Sequence, residues 1–265
     1  MADLAVRYGQ DGVEELSAVI ILDGTARGAL AAGDEVARIE PEDPAETSTW
    51  ILPLGDVDGD GVDDLGVTVH GVASLFRGPL VGVQSSADAD TFFSELSLDS
   101  PAGDFDGDGR DDVIAAHPYD GWGERTAVGY VLSPTDRGTY SAADAWLELS
   151  GEWYGSGSAC GLLVEASGGG DVDGDGAADL LVKFDGDALG APNSSGTWIL
   201  SGPASGSVEP DPDDPHEVLL DGAFVATGPL QLDDDGLADL VFVPFAFANY
   251  SIHIVSGATI EWFFE

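Results

Sequence analysis

The segment Gly55–Val67, GDVDGDGVDDLGV, sets Asp56, Asp58, Asp60 and Asp64 at positions 1, 3, 5 and 9 of a loop, with Gly61 at position 6. Carboxylates at alternate residues converge on one point only if the chain turns sharply between them, and glycine permits that turn. With the backbone carbonyl of Val62 at position 7, the loop offers an all-oxygen ligand set suited to calcium. A solvated acidic run would account for the charge but not for this spacing.

The pattern recurs. GDFDGDGRDDVIAA repeats it with Asp104, Asp106, Asp108 and Asp112 and the carbonyl of Arg110. GDVDGDGAADLLV repeats it with Asp171, Asp173, Asp175 and Asp179 and the carbonyl of Ala177. A fourth copy, LQLDDDGLADLVFV, keeps Asp233, Asp235, Asp239 and the carbonyl of Leu237, but Gln231 replaces the first aspartate and Asp234 the usual glycine. MADLAV at the start matches the end of the motif, with Asp3 in the place of Asp64. The expectation is three strong calcium sites and a weaker fourth, because a neutral ligand attracts a hard cation less than a carboxylate does.

The loops must be held by strands. An EF-hand needs a glutamate at position 12 and an outgoing helix, but position 12 here is Val67, Ala115, Val182 or Phe242, within β-rich runs. Each loop is entered from a short apolar stretch (TWILPL, CGLLVEA, AFVATG) and left by another (DLGVTV, DVIAA, DLLVKF, DLVFV). A third follows (AVIILDG, AVGYVLS, GTWILSG, SIHIVSG), and usually a fourth (VARIE, WLELS, EVLL). Leu4, Leu65, Val113, Leu180 and Leu240 mark equivalent places roughly 50 to 70 residues apart, and no long 3.6-residue period appears. Four antiparallel strands per unit is a propeller blade, which buries its faces only by stacking on neighbours. The expected fold is all-β: five repeats in a single domain over residues 1–265, forming either a closed five-bladed ring or part of a larger propeller.

The chain has 265 residues, 50 of them acidic and 8 basic, for a formal charge of −42. That excludes nucleic acid and anionic membrane surfaces as partners. Even four divalent cations would leave most of this charge in place, so a high-salt habitat is a competing source of the acidity. No apolar run approaches the ~18 residues of a membrane span, so no membrane insertion is expected. The opening MADLAVRYGQDG has neither a basic nor an apolar signal region. The single cysteine, Cys160, lies among apolar residues and reads as a buried thiol.

Taken together, the aspartate loops and their spacing resemble FG-GAP repeats, the calcium-binding blades of the integrin α-subunit type of β-propeller. The D-x-D-G-D-G-x-x-D part is matched closely in three copies. The flanks are eroded: Cys160-Gly161 stands where F-G would, and Ala116-His117-Pro118 is the near match to G-A-P. The resemblance covers practically the whole chain. It implies a calcium-stiffened extracellular or cell-surface module for adhesion or ligand display, with a protein or carbohydrate partner. An unclosed first blade, lacking its strand 1, would expose backbone and favour self-association.

Hairpin loops alternate between the two ends of a blade, so the loops opposite the aspartates form a second surface. These include Tyr8–Glu15, Pro118–Arg125, Gly151–Ser158 and Asp185–Gly196. Tyr119, Trp122, Trp153 and Tyr154 lie there beside Asp120, Asp187 and Asn193, as candidate ligand contacts; Trp50 and Trp198, in strands, are better candidates for core. A hydrolase or lyase acting on glycans or lipids is the alternative reading, with His117, Asp120, Glu124 and Arg125 as its nearest cluster; a purely architectural segment of a larger surface protein is another. No G-x-S-x-G elbow or H-x-x-x-H pair supports the enzyme.

Overall fold

The computed structural model describes residues 3–8, 18–25, 33–43, 49–117, 128–150, 165–184, 196–208, 217–221, 223–225, 230, 232, 235–244 and 253–255. The chain is all-β, and its described residues contain no α-helix. Among them no helix is long and apolar enough to cross a membrane. Two compact units form, one from residues 1–98 with 134–143 and one from residues 99–133 with 144–265.

The described residues of the first unit form two sheets. Sheet 1 runs β1 (Leu4–Tyr8), β2 (Ala18–Leu22) and β3 (Ala37–Glu40), antiparallel. Sheet 2 runs β4 (Thr49–Gly55), β5 (Asp64–Val69), β6 (Val72–Phe76) and β8 (Thr91–Phe93), also antiparallel. Val19, Ile21, Ala37 and Ile39 of sheet 1 share a core with Leu65, Val67, Val69 and Phe76 of sheet 2. Alternation along each strand places these residues on the faces that meet.

The described residues of the second unit form three sheets. Sheet 3 has the order β9 (Ser97–Gly103), β10 (Asp112–Ala116), β11 (Val128–Leu132), β13 (Leu147–Ser150), with β9 entering from the end of the first unit. Sheet 4 has the order β14 (Glu165–Gly170), β15 (Asp179–Phe184), β16 (Gly196–Leu200), β18 (Glu217–Asp221). Sheet 5 shows β19 (Ala223–Val225), β20 (Leu240–Pro244) and β21 (His253–Val255). Phe105, Ile114, Val131 and Leu147 pack with Leu180, Val182 and Trp198 in a core shared by sheets 3 and 4.

Three outer edges carry an additional strand that the repeat pattern does not announce. The segment leading to β8 first forms β7 (Gly82–Ser85), parallel to β3 of the preceding sheet. In the same way β12 (Gly138–Tyr140) pairs with β8, and β17 (Gly206–Val208) with β13. In these three cases the added strand covers a sheet edge whose backbone would otherwise be unpaired.

One expectation is corrected here. Trp198 is buried, but Trp50 is 71% exposed. Trp50 stands opposite the half-exposed Thr68, whereas its neighbour Ile51 stands opposite the buried Val67, so the core face of β4 belongs to Ile51. The strand entering the third loop is described over Glu165–Gly170, and residues 160–164 of the expected CGLLVEA lie outside the described residues. Its glycines look like a loop, but a Cβ on Gly168 would lie 2.6 Å from the Ala102 carbonyl oxygen, so the strand must be bare to approach its neighbour.

Candidate metal centres in the acidic loops

Each aspartate loop joins the first two strands of a sheet: β4 to β5, β9 to β10, β14 to β15 and β19 to β20. The position-6 glycines Gly61, Gly109, Gly176 and Gly236 all have φ between 88° and 97°, the left-handed turn that the sequence requires. Each position-1 aspartate of the three intact loops then folds back on that turn. The N–H groups of Gly61, Gly109 and Gly176 donate to Asp56 Oδ2, Asp104 Oδ2 and Asp171 Oδ2 at 2.8, 2.9 and 3.1 Å. Position 5 closes the next turn: the N–H groups of Val62, Arg110, Ala177 and Leu237 donate to Asp60, Asp108, Asp175 and Asp235 at 2.8 to 3.0 Å.

Position 9 is the anchor. Asp64, Asp112, Asp179 and Asp239 are buried, and one oxygen of each accepts the N–H of the residue that follows position 1 (Val57, Phe105, Val172 and Leu232). In Asp64, Asp112 and Asp179 the second oxygen reaches the turn after the third strand. Gly78 N–H donates to Asp64 Oδ1 at 2.8 Å and Gly202 N–H to Asp179 Oδ1 at 3.1 Å. Asp3 does the same with Gly24 at 3.0 Å, so the motif's tail at the start of the chain is a working anchor. In sheet 3 the equivalent residue is Pro134, which has no N–H, and the Ser133 hydroxyl donates to Asp112 Oδ1 instead.

These residues after the third strand were not singled out from the sequence, although F-R-G, L-S-G and L-D-G recur there. Their packing is tight: a Cβ on Gly202 would lie 2.3 Å from the Ala178 carbonyl oxygen and 2.8 Å from that of Phe105. In the second unit the loops are also linked to one another. Ala178 N–H donates to the Asp104 carbonyl, and Ala238 N–H to the Asp171 carbonyl, both at 2.7 Å.

Oxygen atoms of three aspartates gather within 4.8 Å of one another in each intact loop: Asp56, Asp58 and Asp64; Asp104, Asp106 and Asp108; Asp171, Asp173 and Asp179. These clusters could hold a metal ion. Asp60, Asp112 and Asp175, also expected as ligands, fall outside these triplets and serve through the turn and anchor bonds above. In the fourth loop Gln231 and Asp233 lie outside the described residues, as do Tyr119, Trp122, Trp153 and Tyr154 and the cluster Asp120, Glu124 and Arg125. His117 is exposed and meets Tyr130 edge-on with ring centroids 5.4 Å apart, a packing role.

The donor set fits a hard cation on one further observation. Asp104 Oδ1 is buried and has no hydrogen-bond partner, while its other oxygen is held by Gly109. An uncompensated buried carboxylate oxygen among other carboxylates is costly unless a positive charge meets it. The anchors carry the same cost. Burial, the largest cause, pushes Asp64 up to about 6 and Asp112 and Asp179 to about 7; neighbouring carboxylates add to this and the hydrogen bonds oppose it.

A raised carboxyl pKa means that the folded protein holds the proton more tightly than the unfolded chain. The stability this confers is complete below about pH 4 and is lost as pH rises to about 7. Cation-free protein should therefore melt at progressively lower temperature between those limits, while saturating calcium, displacing the protons, should flatten the profile. A cation-free melting temperature that climbs from pH 5 to pH 7 would contradict the buried anchors.

The substitution at Pro134 gives a second test. Ser133→Ala removes the hydroxyl that donates to buried Asp112 and accepts from Trp146 Nε1 at 3.0 Å, and should cost about 1–3 kcal/mol. Ser201→Ala removes a 2.7 Å bond to Asp173 but leaves Gly202 on Asp179, and should cost less, about 1 kcal/mol or below. Urea midpoints of the two variants measure the difference, and equal losses would refute it.

No family model matches the chain, and no curated protein is similar to it at a significant level.

Proposed function

We propose that the sheets are blades of a calcium-stiffened β-propeller of the FG-GAP type, acting outside the cell as an adhesion or ligand-binding module for a protein or glycan. The observation that carries this reading is the repeated loop geometry, in which position-1 and position-3 carboxylates converge and Asp104 Oδ1 is left without a protein donor. Calcium is the cation chosen because the ligands are all oxygen and carbonyls stand beside the carboxylates at position 7. Stiff loops at one end of the blades would hold the aromatic loops at the other in fixed register, and ligand binding would use Tyr119, Trp122, Trp153 and Tyr154.

The test is a binding screen against glycans and surface proteins in calcium, repeated in chelator. A hit should disappear in Trp122→Ala or Trp153→Ala while the calcium-dependent melt stays intact. Undiminished binding by both variants would remove this surface from consideration.

A further inference from the structure

The first residue after the third strand touches the position-3 aspartate in each intact loop, but its chemistry differs. Ser133 Oγ lies 3.5 Å from Asp106 Oδ2 and Ser201 Oγ lies 2.7 Å from Asp173 Oδ2. In the first loop this place belongs to Arg77, whose Nε lies 3.6 Å from Asp58 Oδ2. The Arg77 side chain is nine-tenths buried, and Nε has no hydrogen-bond partner. Its Nη2 donates to the Pro134 carbonyl at 3.0 Å, which holds the guanidinium, and its backbone N–H donates to Asp90 Oδ2 at 3.1 Å, which fixes the main chain there. Asp58 is also one of the three carboxylates that converge in that loop.

We propose that Arg77 is a built-in counter-ion that lowers the first loop's affinity for calcium and keeps that loop ordered without it. This rests on the reading of the acidic loops as calcium sites. A neutral hydroxyl at this place hydrogen-bonds the position-3 carboxylate without bringing a charge that opposes a divalent ion. A fixed guanidinium both engages that carboxylate and repels the ion. One positive charge roughly 6 Å from a divalent ion disfavours it by about tenfold even at the dielectric of bulk water. The three intact loops, equal by their aspartates, thus divide into two strong sites and one weak one.

The experiment follows the amide resonances of Gly61, Gly109 and Gly176 during calcium titration of chelator-stripped protein, since each donates to its own loop's position-1 aspartate. Gly109 and Gly176 should shift first, and Gly61 at about tenfold higher calcium. Arg77→Gln, which keeps an amide to reach Pro134, should bring Gly61 into step with the other two. Ser201→Arg supplies an independent arm and should move Gly176 to about tenfold higher calcium. Coincident titration of all three amides in the unaltered protein, or a Gly61 midpoint unmoved in Arg77→Gln, would overturn the proposal while leaving the calcium reading intact. Absence of any shift at Gly109 and Gly176 would instead defeat the calcium reading, and this proposal with it.

Discussion

Stripping the protein with chelator should lower its melting temperature by about 10–20 °C. At a hundredfold excess over Kd, each occupied site adds about 2.7 kcal/mol, provided that the unfolded chain does not bind. The second and third loops alone then supply about 5 kcal/mol, and for a chain of this size each kcal/mol moves the melt by about 2–4 °C. The physical source of the loss is visible in the loops. Without a cation, convergent carboxylates repel one another, Asp104 Oδ1 lacks a partner, and burial penalises ionisation of the anchors Asp112 and Asp179, raising each to about 7. Magnesium should restore little of the loss, because it demands a smaller octahedral shell and gives up its waters reluctantly. A melt rescued as well by sodium chloride as by millimolar calcium would point to general screening of the −42 charge instead.

The largest effect of a single substitution should come from Asp179→Ala. Asp179 is fully buried, and its two oxygens accept the Val172 N–H at 2.7 Å and the Gly202 N–H at 3.1 Å. The alanine variant leaves both donors buried without a partner, at about 1–3 kcal/mol each, so about 2–6 kcal/mol is lost before any cation is considered. Calcium binding to the third loop should be lost as well. Asp108→Ala is the informative contrast. Its side chain is exposed and holds one N–H, that of Arg110, so in chelator its melt should be close to that of the unaltered protein. In calcium it should fall short, since it removes one of the three convergent carboxylates of its loop. Denaturant melts of both variants with and without calcium separate anchor from ligand; equal losses for Asp108→Ala in the two conditions would show that the two roles are not divided this way.

That division was not legible in the sequence. Four aspartates at positions 1, 3, 5 and 9 look equivalent as ligands, and only the folded loop shows that position 5 closes a turn and position 9 ties two backbone segments together. The strands that leave the loops were legible nearly to the residue: DLGVTV is Asp64–Val69, DVIAA is Asp112–Ala116 and DLLVKF is Asp179–Phe184. They are mostly apolar after a polar start, and consecutive residues along Asp64–Val69 and Asp112–Ala116 are buried. Of the strands missed, Val72–Phe76 and Thr91–Phe93 are apolar, and the others have low apolar content. Ser97–Gly103 contains a proline and three acidic or hydroxyl residues (Ser97, Asp99 and Ser100), and Gly138–Tyr140 and Gly206–Val208 are three-residue edge additions fixed by backbone pairing rather than by side chains. No hydrophobic period marks such strands, because their partners recognise N–H and C=O groups that every residue carries. Arg77 was invisible for a related reason: a lone arginine after a strand acquires meaning only when Asp58 is found beside it.

The central claim, that the acidic loops are cation sites on which the fold depends, is tested most directly by calorimetric titration of the chelator-stripped protein with calcium. The account predicts saturable heat corresponding to two tight sites, followed by weaker binding from the first and fourth loops. Heat that never rises above dilution, with the protein folded throughout, would contradict it.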